Sequence, residues 1–104
     1  MNFAAHPEAV AEIRDAVNWY ESQLPGLGAS FLAAIDDAQR RVHATPRAGA
    51  PVELLGRRSN YRAVPLRRFP YRLIYLAGDH IFVIAVAHER RRPAYWASRA
   101  EPTQ

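Results

Sequence analysis

Tyr71-Arg72-Leu73-Ile74-Tyr75-Leu76-Ala77-Gly78-Asp79-His80-Ile81-Phe82-Val83-Ile84-Ala85-Val86-Ala87 decides the fold. Two runs of apolar, β-branched and aromatic residues flank a Gly-Asp pair, which is the pattern of a β-hairpin. Glycine at the first turn position fits a two-residue type II′ turn. Such a turn predicts Ala77 opposite His80, Tyr75 opposite Phe82, Leu73 opposite Ile84 and Tyr71 opposite Val86 on one face. The other face then carries Leu76 with Ile81, Ile74 with Val83, and Arg72 with Ala85. Both faces are largely apolar, so the hairpin belongs in the middle of a sheet, with one face against another layer. Arg72 is the polar exception, and needs a partner, a ligand or an exit to solvent.

Upstream, Tyr61 to Leu66 reads as a third strand, and residues 46 to 60, with Pro46, Gly49, Pro51 and Gly56, read as a loop. The period changes in the first half. Val10, Ile13, Val17, Tyr20 and Leu24 recur at spacings of three and four, as do Leu27, Phe31, Ile35, Ala38 and Val42. Pro7 suits a first helical turn, Pro25-Gly26 breaks the first helix and Thr45-Pro46 ends the second. Asp36 with Arg40 and Asp37 with Arg41 sit at i,i+4 on the outer surface. The short break between the helices predicts a helical hairpin. The expected fold is α+β, a helical hairpin packed on a small antiparallel sheet of three to four strands, with residues 1–104 as one domain.

Composition narrows the function. There is no cysteine, hence no disulfide, thiol nucleophile or cysteine metal site. His6, His43, His80 and His88 lack ligand spacing, so neither a metal nor a cofactor is expected. No apolar run approaches membrane-span length, and the N-terminal residues lack the pattern of a secretory signal, which predicts a cytoplasmic protein with no membrane partner. All 14 basic residues are arginine, which fits either bidentate contact with phosphate or carboxylate, or a GC-rich genome. Their distribution is uneven. Residues 1–54 hold four arginines against seven acids, a net −3, while residues 55–104 hold ten against three, a net +7. The second half is therefore expected either to meet something anionic or simply to be a solvated basic surface.

The chain ends on Ala87-His88-Glu89-Arg90-Arg91-Arg92-Pro93-Ala94-Tyr95-Trp96-Ala97-Ser98-Arg99, where arginine and aromatics alternate beyond a central strand. Arg72, His88, Arg90, Arg91 and Tyr95 have the chemistry to assist cleavage of RNA by its own 2′-hydroxyl, by holding phosphate charge and moving a proton. Equally, His88 can cap a strand, and Tyr95 and Trp96 can pack over the sheet edge. From the residues alone, enzyme status stays open.

Two stretches carry a family resemblance, Leu66-Arg67-Arg68-Phe69-Pro70-Tyr71-Arg72-Leu73-Ile74-Tyr75 and Val83 through Trp96. They resemble the "FPY" strand and the "V-x-H-x-R-R-x-P-x-Y-W" ending of the plasmid-stabilisation, ParE-like branch of the RelE/ParE toxin superfamily. Trp19-Tyr20-Glu21 and Gly26-Leu27-Gly28 with Phe31 fit its first helical hairpin. The resemblance implies a growth-inhibiting toxin of a type II toxin–antitoxin system, neutralised by a cognate antitoxin that alone contacts operator DNA. RelE-like members cut mRNA on the ribosome, and ParE-like members poison DNA gyrase. Arg72, Tyr95 and His88 match ribonuclease positions, while Ala63 and Pro65 stand where RelE presents two lysines on one strand face, with Arg62 and Val64 pointing the other way. Glu53 is a further candidate base. The balance favours a gyrase-directed toxin without enzymatic activity over an mRNA interferase, with an inactive or regulatory interaction module as a third alternative. Candidate target- or nucleic-acid-binding residues are Arg68, Arg72, Arg90, Arg91, Arg92, Tyr95, Trp96 and Arg99.

Overall fold

Pro7 pre-sets the helical φ and lacks an N–H that the first turn cannot use, and it opens α1 (Pro7–Gln23) in the computed structural model. The structure describes residues 4–54, 56–78 and 80–100, with 57 and 58 described by backbone alone. The His6 side chain caps α1 by accepting the Glu8 N–H at 3.1 Å. Gly26, at φ 97°, reverses the chain into α2 (Leu27–Ala44). Gly26 has no capping side chain, and Glu21 takes that role from the preceding helix. Its carboxylate accepts the N–H groups of Gly26 at 3.1 Å and of Gly28 at 3.0 Å, placing an anion on the positive end of α2. A Cβ on Gly28 would lie 2.9 Å from Glu21 Oε1 and 3.0 Å from the Val17 carbonyl, so glycine sets how closely the helices approach.

The face α1 buries differs from the bulky stripe expected. Val10 and Leu24 are 49% and 57% exposed, while Ala9 and Ala16, seven residues apart, are buried, flanked by Ile13, Val17 and Tyr20. Helix α1 lies close on the sheet, where two small side chains fit and large ones do not. Helix α2 buries Phe31, Ile35, Ala38 and Val42 as expected, together with Gly28 and Ala34. Both predicted ion pairs form, Asp36 with Arg40 and Asp37 with Arg41.

The sheet has five strands in the order β1-β5-β4-β3-β2, more than the three to four expected. Strand β1 (Ala4–Ala5) pairs with β5 in parallel. Strand β2 (Ala50–Leu54) arises inside the segment expected to be a loop, and β3 (Arg57–Pro65) begins earlier than Tyr61. Pro51 is tolerated because β2 is an edge strand whose outer groups need no ladder partner. Strands β4 (Tyr71–Ala77) and β5 (Ile81–His88) form the central hairpin. Its register is not the one a two-residue turn gives. Ala77 pairs with Ile81 and Tyr75 with Val83, then the ladder slips, so that Ile74 pairs with Ala85, Arg72 with Ala87 and Tyr71 with His88. The turn is a residue longer than predicted, and its Asp79 lies outside the described residues. Ile84 is the extra residue of a bulge.

The helix-side core gathers Phe31, Val42, Leu73, Tyr75, Val83 and Val86, and the opposite core gathers Ala63, Ile74, Ile84, Ala85, Ala87 and Trp96. The bulge explains why consecutive Ile84 and Ala85 both belong to the second. Tyr75 is fully buried. Its hydroxyl donates to the Pro46 carbonyl at 2.7 Å and accepts the Gly49 N–H at 3.0 Å, tying the α2–β2 connection to the middle of the sheet. Phe69 and Tyr71 enter an aromatic cluster with Tyr20 and Phe31, at centroid distances of 4.9 to 6.3 Å. The Phe-Pro-Tyr stretch and Tyr20 thus act through packing.

Candidate functional site

The β5 bulge leaves the Val86 N–H and the Ile84 carbonyl on the strand's outer edge, beyond the reach of the short β1. Two side chains occupy that edge. Glu12 of α1 accepts the Val86 N–H at 3.0 Å, and Arg99 donates to the Ile84 carbonyl at 3.2 Å. The same two residues form a bidentate pair at 2.9 and 3.0 Å, with side chains only 17% and 8% exposed. The Tyr95 hydroxyl donates to the other Glu12 oxygen. An ion pair thus stands where a neighbouring strand would continue and closes an open sheet edge. Burial by itself raises the Glu12 carboxyl, but hydrogen bonds from Arg99, Tyr95 and Val86, with the Arg99 charge, hold it below its ordinary value of 4.5. Burial and the Glu12 carboxylate push the Tyr95 phenol far above its ordinary 10.0.

These contacts fix the path of the C-terminal segment. His88 starts a turn by accepting the Arg90 N–H on Nδ1 and the Arg91 N–H on its carbonyl, both at 3.0 Å. Its ring meets Tyr71 edge-on at 5.0 Å. The chain bends again at Ala94 (φ 57°), crosses the β5 edge at Tyr95, and seats Trp96, 1% exposed, on the sheet's second face beside Tyr61. A 3-10 turn, Ala97–Ala100, then brings Arg99 back to Glu12.

The sequence-predicted site residues therefore separate into two groups. Trp96 is core, Arg99 is committed to Glu12, and the Tyr95 ring lies beneath the Arg91 guanidinium at 3.8 Å. Arg68, Arg72, Arg90, Arg91 and Arg92 are exposed. Three chain segments bring them to one end of the sheet. The β3–β4 turn carries Arg68, β4 carries Arg72 as its second residue, and the turn after β5 carries Arg90 to Arg92. The Leu66 N–H bonds the Tyr71 carbonyl and the Glu89 N–H bonds the Pro70 carbonyl, each at 2.9 Å, which locks the three segments together. Arg67 anchors the first turn to Asp37 at 3.8 Å, and Arg68 is held left-handed at φ 75° between it and the Phe69 cluster.

Arg72, His88 and Tyr95 do not converge. Arg72 pairs with Ala87 and projects on the Trp96 side of the sheet, whereas His88 pairs with Tyr71 and faces α1. Ala63, buried, and Pro65, paired directly with Arg72, provide no second cation on the Arg72 face, and Arg62 turns the other way to bond the Gly49 carbonyl at 2.8 Å. On the α1 side, His88, Tyr71 and the 57%-exposed Trp19 line two adjoining hollows of about 320 and 460 Å³. The first also touches Asp15, Arg91 and Tyr95. Glu12 is the organising residue that the sequence did not announce. The available signal was its place between Ala9 and Ala16 on the face of α1 that the sheet buries.

A helical hairpin on a five-stranded sheet, closed by an aromatic and basic C-terminal strap, defines the RelE/ParE toxin architecture. A sequence model of the family described as the ParE toxin of the type II toxin–antitoxin system parDE matches residues 4–93, and the chain belongs to that family. A solved chain described as "Chromosomal ParDE TA system from P. aeruginosa" shares the fold with a TM-score of 0.67 at 16% identity, covering 85% of this chain and 95% of that one. No curated protein matches. Among the described residues, no helix is long and apolar enough to cross a membrane.

Proposed function

We propose that this toxin poisons DNA gyrase inside the cell, that its target-facing surface is the arginine-rich end of the sheet, and that a cognate antitoxin neutralises it. One observation supports gyrase over mRNA most strongly. Arg72 has no second cation beside it among the described side chains of its face, where Pro65, Ala63 and Ala87 surround it, while His88 and Tyr95 sit on the α1 side and at the strand edge. Cleavage at a phosphodiester needs a proton acceptor and phosphate-holding cations around one reacting centre, and Arg72 lies on the opposite face from the hollow that His88, Arg91 and Tyr95 share. Membership of the ParE family points the same way. For the antitoxin, the exposed Trp19 and the hollows beside it offer an apolar seat between the acidic helices and the basic turn. Operator recognition is left to the antitoxin.

The test is a titration of toxin, refolded free of antitoxin, into purified gyrase with relaxed plasmid. Supercoiling should fail and linear plasmid should accumulate. Undisturbed supercoiling at excess toxin, with transcripts cut in a translating extract, would transfer the assignment to mRNA.

A further inference from the structure

We infer that the arginine-rich end of the sheet grips the phosphate backbone of double-stranded DNA, so that the toxin engages gyrase in its DNA-bound state. The gyrase half of this inference rests on the function proposed above. The DNA half stands on the geometry alone.

The arginines outside this group differ: Arg62 bonds backbone carbonyls, and Arg14 and Arg47 make no ion pair among the described residues. Arg40, Arg41, Arg67 and Arg99 each pair with a carboxylate. Arg68, Arg72, Arg90 and Arg92 have no carboxylate partner among the described residues, although all four come together at one end. The acids nearest in the chain do not cancel them. Asp37 is shared by Arg41 and Arg67, and Glu89 is one carboxylate among the four arginines. The backbone beneath them is pinned by the His88 cap, the Glu89–Pro70 bond and the half-buried Phe69. Only the guanidinium arms need ordering when a phosphate binds, which lowers the entropic cost of contact.

Among the described residues, no large apolar side chain is exposed at this end. The exposed large apolar residues are Val10, Trp19 and Leu32 on the helices and Leu24 at the C-cap of α1. What remains at the arginine end is unpaired charge spread over three segments, and a repeating line of phosphates complements that pattern. The helical half, at net −3, is repelled by DNA and orients the molecule with its basic end inward. Phosphate contact carries no sequence information, so operator choice stays with the antitoxin.

The experiment is fluorescence anisotropy of a short labelled duplex of mixed sequence, titrated with antitoxin-free toxin over a series of salt concentrations. Four phosphate contacts predict that log affinity falls against log salt with a slope of about −3.5. Arg90→Gln with Arg92→Gln should reduce the steepness by about two, because each phosphate contact contributes about 0.9. Arg14→Gln with Arg40→Gln, on the helices, should leave slope and affinity unchanged. All four positions are exposed, and thermal melts establish that the variants fold. Equal losses from the two double variants would overturn the inference by making the attraction diffuse. So would tighter binding to single-stranded RNA of the same length, or no duplex binding at low salt. A toxin that poisons gyrase without binding duplex removes the DNA inference and leaves the gyrase assignment standing. One that binds duplex through these arginines while gyrase works normally does the reverse.

Discussion

Among the described polar side chains, Glu12 ties together the most distant parts of the chain. It joins α1 to the β5 edge through Val86, and to the C-terminal strap through Tyr95 and Arg99. Glu12→Gln leaves the nearly buried Arg99 with only the exposed Glu8, at 3.8 Å, as countercharge, and should destabilise the fold by about 3 kcal/mol in urea titration. Tyr95→Phe removes one hydrogen bond to a charged acceptor and should cost about 1.5 kcal/mol. The pH dependence has two limbs. The Glu12 carboxyl is depressed in the fold, so its contribution is present above its ordinary value of 4.5 and is lost as pH falls through the folded value. The Tyr95 phenol is raised, so its contribution is present below 10.0 and declines as pH rises beyond that. Urea midpoints across pH should therefore fall at both extremes, and the acid limb should flatten in Glu12→Gln. An unchanged acid limb in that variant would assign acid sensitivity to other carboxylates.

At the scale of elements, Gly28 and Tyr75 show how the layers are spaced. Gly28→Ala drives a methyl into Glu21 and the Val17 carbonyl, and should cost about 2 kcal/mol, read as a lowered melting temperature. Tyr75→Phe leaves the Gly49 N–H without its acceptor and should cost a similar amount, about 2 kcal/mol. The order of helices and the central hairpin were legible because long apolar repeats at 3.6 and 2 residues leave few alternatives. Where local pattern and tertiary packing diverge, the sequence misled. Val10 and Leu24 complete a bulky stripe but stay exposed, because alanines let α1 approach the sheet. The bulge at Ile84 leaves no mark in a run of apolar residues, yet it changes every pairing beyond Tyr75. Strand β1 is two residues long and exists only through its partner, and β2 is disguised by Pro51. Of the site, the arginines were legible as charge. The division of the strap into buried Trp96, committed Arg99 and exposed Arg90 to Arg92 depended on Glu12, some eighty residues away in sequence.

Over the whole molecule, the C-terminal motif is mostly architecture that presents charge. His88 caps a turn, Tyr95 and Arg99 seal an edge, Trp96 fills the second core, and the arginines between them face solvent. The acidic helical hairpin and basic sheet give the toxin opposed faces, one suited to an antitoxin seat near Trp19 and the other to an anionic target. On the proposed function, His88 should be dispensable for toxicity and the arginine end should not. The most direct measurement is gyrase-dependent plasmid cleavage by two variants side by side, His88→Ala and the triple change Arg72→Gln, Arg90→Gln, Arg92→Gln. The account predicts that His88→Ala still converts plasmid to the linear form, and that the folded triple variant leaves it supercoiled. Loss of cleavage with His88→Ala while the triple variant remains active would contradict it.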